Sequence, residues 1–114
     1  MPFINTKTNI SISSEQEEML KSKLGNAISI IPGKSERWLM LNFEDNCRMY
    51  FRGIPDIPTA FIEVKIFGGA GGNDYEKLTA KITEIISDVL KIAPDQIYIK
   101  YEEVEYWGYN GHNF

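Results

Sequence analysis

The apolar positions of this chain fall into two stripes with one spacing. Leu20, Leu24, Ala27, Ile28 and Ile31 lie at offsets 0, 4, 7, 8 and 11, and Leu78, Ile82, Ile85, Ile86 and Val89 repeat those offsets. Residues three and four apart share a helix face, so each set predicts one amphipathic helix with a single buried side. Ser14, with Glu17 three residues later, predicts a capping box for the first helix, and Pro32-Gly33 its end. Asn73 with Glu76, and Ala93-Pro94-Asp95, bound the second in the same way. Between the helices, β-branched and aromatic runs predict strands over Phe3 to Ile10, Trp38 to Phe43, Arg48 to Arg52, Ala60 to Phe67 and Ile97 to Glu103. Trp38 to Phe43 is apolar at nearly every position and reads as a strand buried on both faces. In Ala60 to Phe67, Ile62, Val64 and Ile66 take one face while Glu63 and Lys65 take the other.

The order is thus strand–helix–strand twice, with the loop Gly53 to Pro58 at the midpoint. Repetition at a period of about 60 residues indicates internal duplication. The expectation is an α+β fold of duplicated β-α-β units in one domain over residues 1–114, with repeat halves of about 1–52 and 59–114. Two helices cover only one face of the sheet so formed. The other face would carry Glu63, Lys65, Tyr98 and Lys100 among apolar residues, and a closed cyclic oligomer is the economical way to shield it.

Composition removes several function classes. A chain of 114 residues, 43% hydrophobic and 25% charged, has the make-up of a folded globular protein. A net charge of −4 without a Lys/Arg run argues against nucleic-acid and anionic-membrane partners. No apolar stretch approaches the roughly 20 residues of a membrane helix. No basic region precedes an apolar one at the N-terminus, so a cytoplasmic location is the expectation. One cysteine, Cys47, and one histidine, His112, make Cys- or His-based metal sites and Cys–His or Ser–His catalysis poor expectations.

The remaining candidate chemistry starts at Met1-Pro2. Trimming of Met1 ahead of a small residue leaves Pro2 with a free secondary amine. The α-amino group titrates at roughly pKa 8, and burial lowers that value, so the amine is a candidate base beside a carbonyl. Alternatively, Pro2 simply opens a strand, where its missing N–H costs nothing. Lys34, just past a helix end, either complements the helix dipole or holds a substrate carboxylate. Tyr98 and Lys100, two apart on a strand, share a face, either as exposed strand residues or as site residues. Gly68 to Gly72 lies between strand and helix but lacks both the Walker lysine and GxGxxG spacing, so a conformational role outweighs a phosphate cradle. The aromatic run Tyr106-Trp107-Gly108-Tyr109 reads as packing on a neighbouring subunit.

Taken together, Met1-Pro2, Gly33-Lys34, the run Ala93-Pro94-Asp95-Gln96-Ile97-Tyr98-Ile99 and the ending Trp107-Gly108-Tyr109-Asn110-Gly111-His112-Asn113-Phe114 resemble the macrophage migration inhibitory factor family of the tautomerase superfamily. The resemblance spans essentially the whole chain. It implies a homotrimer of duplicated βαβ units around a central channel, with active sites at subunit interfaces. It also implies cofactor-independent keto–enol isomerisation of phenylpyruvate-like α-keto acids. Residue by residue, Pro2 would be the base, Lys34 the carboxylate ligand, and Tyr98 a pocket residue donated by the adjacent subunit. Phe67 stands where the family has an aliphatic residue whose backbone amide contacts substrate, while Trp38 and Tyr109 match aromatic rim positions. Lys100 replaces an asparagine of vertebrate members, and a second cation there would favour a more anionic substrate or lower the pKa of Pro2. The Cys-x-x-Cys of the vertebrate cytokine is absent. Two rival readings follow: a non-enzymatic, cytokine-like protein released without a signal peptide to dock on a host receptor, and an isomerase of muconate-like dicarboxylates held by Lys34 and Lys100.

Overall fold

Strict alternation over β3 (Ala60–Phe67) sets the architecture. In the computed structural model, which describes all 114 residues from Met1 to Phe114, Ala60, Ile62, Val64 and Ile66 are buried under the helices. Phe61, Glu63 and Lys65 point the other way, as a period of two requires. On one side of β3 lies β1 (Pro2–Thr8), antiparallel, with Pro2 opposite Ile66 and Thr8 opposite Ala60. On its other side β4 (Ile97–Val104) runs parallel. Outside β1, β2 (Met40–Glu44) is also parallel, giving the order β2-β1-β3-β4. Parallel neighbours need a long crossover, and each pair here is joined through a helix, α1 (Ser14–Ala27) or α2 (Gly72–Leu90). This is the expected duplicated β-α-β architecture, its two units meeting along the antiparallel β1/β3 seam.

Both apolar stripes do what their spacing predicts. Leu20, Leu24, Ala27, Ile28 and Ile31 from the first unit meet Leu78, Ile82, Ile85, Ile86 and Val89 from the second in one 17-residue core. Burying each Leu or Ile side chain stabilises the fold by about 1.5–3 kcal/mol. No helix is long and apolar enough to cross a membrane.

Several local expectations are corrected. The first capping box is Ser13 with Gln16, one residue earlier than Ser14 with Glu17: Gln16 N–H donates to Ser13 Oγ at 3.1 Å, and Ser13 N–H to Gln16 Oε1 at 2.9 Å. At α2 the N-cap is Gly71, whose N–H donates to Asp74 Oδ2 at 3.3 Å, in place of an Asn73–Glu76 pair. Arg48 to Arg52 forms no strand; only an isolated bridge links Phe51 to Ile54. Trp38 sits in a single 3-10 turn, Glu36–Trp38, ahead of β2. Nor is β2 buried on both faces: Leu41 and Phe43 pack toward the core while Met40, Asn42 and Glu44 are exposed. It is an edge strand of the sheet, and apolar content alone does not distinguish an edge from a centre.

The helix-facing side of β1 carries one uncompensated polar atom. Thr6 is fully buried among the core residues and its hydroxyl has no hydrogen-bond partner. Leaving such a group unsatisfied costs about 1–3 kcal/mol, and a methyl of nearly equal volume removes the cost. Thr6→Val is therefore expected to raise stability by about 1 kcal/mol, read as a higher urea midpoint at fixed protein concentration. An unchanged or lower midpoint would show that the hydroxyl is satisfied.

Candidate active site

The chain's first peptide group is part of the sheet. Phe67, at the end of β3, donates its N–H to the Met1 carbonyl at 3.0 Å, continuing the β1/β3 ladder to the terminus. The other face of the same residue is also engaged, since Lys34 Nζ donates to the Phe67 carbonyl at 3.0 Å. Two glycines make this approach possible. Gly33, at φ +82°, turns the chain so that Lys34 N–H reaches the Ile31 carbonyl at 3.1 Å. Gly68, at φ +83°, turns out of β3 while its N–H donates to the Val104 carbonyl at 3.1 Å. An L-residue with a Cβ is strained in that left-handed region.

The terminal amine is electrostatically prepared. Partial burial, then the like charge and hydrogen bonding of Lys34, push the α-amine of Met1 below its ordinary value. Pro2 itself is buried. Beside it opens a groove of about 560 Å³ lined by Pro2, Phe3, Trp38, Met40, Trp107 and Tyr109, with Arg37 at its rim. An amine of lowered basicity facing an apolar groove beside a fixed cation is a setting for proton transfer from a bound acid.

Aromatic rings close one side. Trp38 meets Tyr109 edge-on at 5.2 Å between centroids, Tyr109 stacks on Phe114 at 6.1 Å, and Phe114 packs on Phe67 at 5.8 Å. The rings are carried by a short hairpin, β5 (Gly108–Tyr109) and β6 (His112–Asn113), whose end is tied by Phe114 N–H to the Trp107 carbonyl at 3.0 Å. The tail read from sequence as packing on a neighbour thus folds over its own chain. Composition flags it as sticky, but not where it sticks.

Pro2, Lys34, Phe67, Trp38 and Tyr109 therefore gather at one end of the sheet. Tyr98 and Lys100 do not. Tyr98 pairs with Phe61 at the start of β3, while Pro2 pairs with Ile66 near its end. Five residues of strand put roughly 17 Å between those levels. Tyr98 is 58% exposed, its ring against Phe51 at 4.9 Å. Lys100 lies on the open face, paired with Glu102 at 2.8 Å and Glu63 at 3.7 Å. Those carboxylates hold its ammonium above the ordinary lysine range, chiefly through Glu102. Asn5 donates to Glu63 at 3.3 Å and to Glu44 at 2.9 Å, so the face is a continuous polar network. Within one chain Lys100 is thus a second cation that stands apart from Pro2 and is paired with carboxylates.

Sequence reasoning missed Arg37, Phe3, Trp107 and Phe114. Phe3 carried a signal, since it alternates with buried Pro2 and Ile4 on β1. The others depend on how the Lys34–Trp38 segment and the tail fold back, which no local period encodes. No group of three or more His, Cys, Asp or Glu side chains is arranged to hold a metal ion.

Comparison with known proteins agrees with this geometry. The model of the family described as macrophage migration inhibitory factor (MIF) matches residues 1–114. The macrophage migration inhibitory factor of Meriones unguiculatus is 29% identical over 116 residues, covering 100% of this chain and 99% of that protein. Among solved structures, Leishmania major MIF2 superposes with a TM-score of 0.92 at 27% identity, over 100% of this chain and 97% of the other. The macrophage migration inhibitory factor homologue of Prochlorococcus marinus gives 0.83 at 29% identity, over 98% of each. Matched along its full length by sequence and by fold, the chain belongs to the macrophage migration inhibitory factor family.

Proposed function

We propose that this protein is a cofactor-independent keto–enol tautomerase of phenylpyruvate-like α-keto acids, with Pro2 as general base once Met1 is removed. One observation carries the reading: the chain terminus borders an apolar groove and is contacted by both the Phe67 N–H and the Lys34 ammonium. Excision of Met1 does two things at once. It turns the imide nitrogen of Pro2 into a secondary amine, and it frees the Phe67 N–H from the Met1 carbonyl. A substrate carboxylate then has a cation and a backbone donor to bind, both fixed by the end of β3. Pro2 takes a proton from the carbon next to the keto group, and the electron pair moves to the keto oxygen as an enolate. Return of the proton to that oxygen gives the enol; the reverse sequence ketonises it. Lys34 counters the developing negative charge, the electrostatic term that usually dominates such steps. The aromatic wall of Trp38 and Tyr109 suits an aryl side chain.

The same reading extends to a homotrimer. The edge strands β2, with Met40 68% exposed, and β4, with Tyr98 58% exposed, both call for partners. Tyr98, some 17 Å along the sheet from Pro2, can serve only a site of an adjacent subunit. Lys100 on the same face would reach that neighbouring site already paired with Glu102 and Glu63.

Three outcomes are expected. Intact mass of the purified protein should lack Met1, and Pro2→Gly should lose a large part of the roughly 10²–10⁴-fold that a positioned base contributes to phenylpyruvate ketonisation. Undiminished turnover in that variant removes Pro2 from the mechanism. The base is active only when unprotonated, so kcat/KM should fall as pH drops through the pKa of the Pro2 amine, which burial and the neighbouring Lys34 charge should hold below the ordinary α-amino range as they do that of Met1. Lys34→Gln removes the like charge and should move that acid limb to higher pH; a limb that stays put or moves lower rules out the role for Lys34. Finally, co-expressed Pro2→Gly and Tyr98→Ala chains should recover activity that each lacks alone, because mixed trimers contain some sites with both residues. Failure of mixed trimers to recover any would remove Tyr98 from a site shared between subunits.

A further inference from the structure

We infer that Arg37 forms a second anion subsite at the rim of this groove and selects α-keto acids bearing a second carboxylate beyond an apolar or aromatic body. The inference rests on the tautomerase reading and specifies the substrate class of that same site.

Arg37 is the one groove-lining side chain that carries a charge, and seven of the ten lining residues are hydrophobic. No carboxylate lies within 4.0 Å of this guanidinium, and Arg37 is absent from all five ion pairs of the protein. Glu36, its sequence neighbour, is turned away. The Glu36 carboxylate packs against Gly25 of α1, so closely that a Cβ there would come within 2.6 Å of Glu36 Cδ. What holds Arg37 is an aromatic face: its Cζ lies 5.3 Å from the Trp38 ring centroid. Stacking of this kind orients a guanidinium and leaves its in-plane N–H donors free. Trp38 is itself braced edge-on by Tyr109.

A second cation stands just outside the lining: Lys34 acts on the amine of Met1, which borders the groove, and donates to the Phe67 carbonyl with no carboxylate partner of its own. Apart from Arg37 the lining is largely apolar and includes Pro2. A molecule that satisfies both has an α-keto carboxylate for Lys34, an apolar or aryl middle, and an anionic far end for Arg37. Lys100 cannot supply that second charge as freely, because Glu102 and Glu63 already occupy its ammonium. The planar fork of arginine also matches a carboxylate in two hydrogen bonds, which an ammonium does not.

A matched pair of substrates isolates the subsite: phenylpyruvate and its para-carboxy derivative, assayed on the full chain with Met1 confirmed absent. The readout is the ratio of kcat/KM for the diacid over that for the monoacid, together with equilibrium Kd values from calorimetry. A solvent-facing ion pair is modest, so Arg37→Gln is expected to lower the ratio by about three- to tenfold, mainly through KM. Arg37→Glu should lower it further, Arg37→Lys should retain part of it, and added salt should compress the whole series. A ratio that does not move with charge at position 37, or equal losses on both substrates, overturns the subsite. If the wild-type protein turns over neither compound, the tautomerase reading fails. The Kd ratio then still decides Arg37, and failure to bind the diacid more tightly than the monoacid overturns the subsite on its own.

Discussion

The chain's first residue is held by a central strand, and the site depends on that constraint. Phe67 N–H donates to the Met1 carbonyl, and Pro2 pairs with Ile66 in the same β1/β3 ladder, so the residue that becomes the terminus on loss of Met1 is still tied to β3. A chain end is ordinarily among the most mobile parts of a domain unless it is tied into a sheet. Here the tie is at the seam between two β-α-β units, with the Leu20–Ile31 and Leu78–Val89 stripes packed underneath. The core therefore fixes the position of a backbone nitrogen, something no side-chain base on a loop achieves as cheaply. Lys34 reaches the same point because the turn from α1 into β2 and the turn out of β3 both lie at the Pro2 end of the sheet.

Much of this is legible in the residues because helices and strands announce themselves by period. The 0, 4, 7, 8, 11 stripes were sufficient to place ten core residues, and the alternation in Ala60–Phe67 fixed both faces of β3. Pro2, Lys34, Trp38, Phe67 and Tyr109, picked out on the family resemblance, come together at one end of the sheet. What was not legible is of three kinds. Caps slid by one or two residues, since Ser13 competes with Ser14 and Gly71 with Asn73, and the hydrogen bonds to Gln16 and Asp74 decide between them. Edge position was hidden, since Met40 and Leu41 look alike in sequence while the first is exposed and the second packs on the core. Pairing of charges was hidden too. Lys100 reads as a free cation in a string of letters, yet strand register puts Glu63 directly beside it and Glu102 on the same face.

That register shapes the open face in rows. Asn42, Asn5, Glu63 and Lys100 lie side by side across all four strands, flanked by Met40, Phe3, Lys65 and Glu102 on one side and by Glu44, Lys7, Phe61 and Tyr98 on the other. Cross-strand neighbours of opposite charge are mutually stabilising, and those of like charge are not. Glu63 meets Lys7 and Lys100, and its carboxyl is held below the ordinary range by Asn5 and the surrounding lysines despite partial desolvation. A face so internally satisfied is suited to water or to a polar interior, and poorly suited to a dry, apolar interface. The apolar demand for partners comes from the edges, where Met40 is 68% and Tyr98 58% exposed. Assembly through the edges of the sheet would leave the polar rows facing a common interior.

The division of charge between the two faces of the site bears directly on chemistry. Cations near a proline base lower its pKa whether or not they touch substrate, but only an unpaired cation adds selectivity. Lys34 is close to the terminal amine and uncommitted to any carboxylate, so it serves both ends. Lys100 is neutralised where it stands. Arg37 is uncommitted, and the Trp38 ring, which is also a wall of the groove, holds it in place. An aromatic wall that carries its own guanidinium would hold the body of a substrate and read its far end with the same two residues.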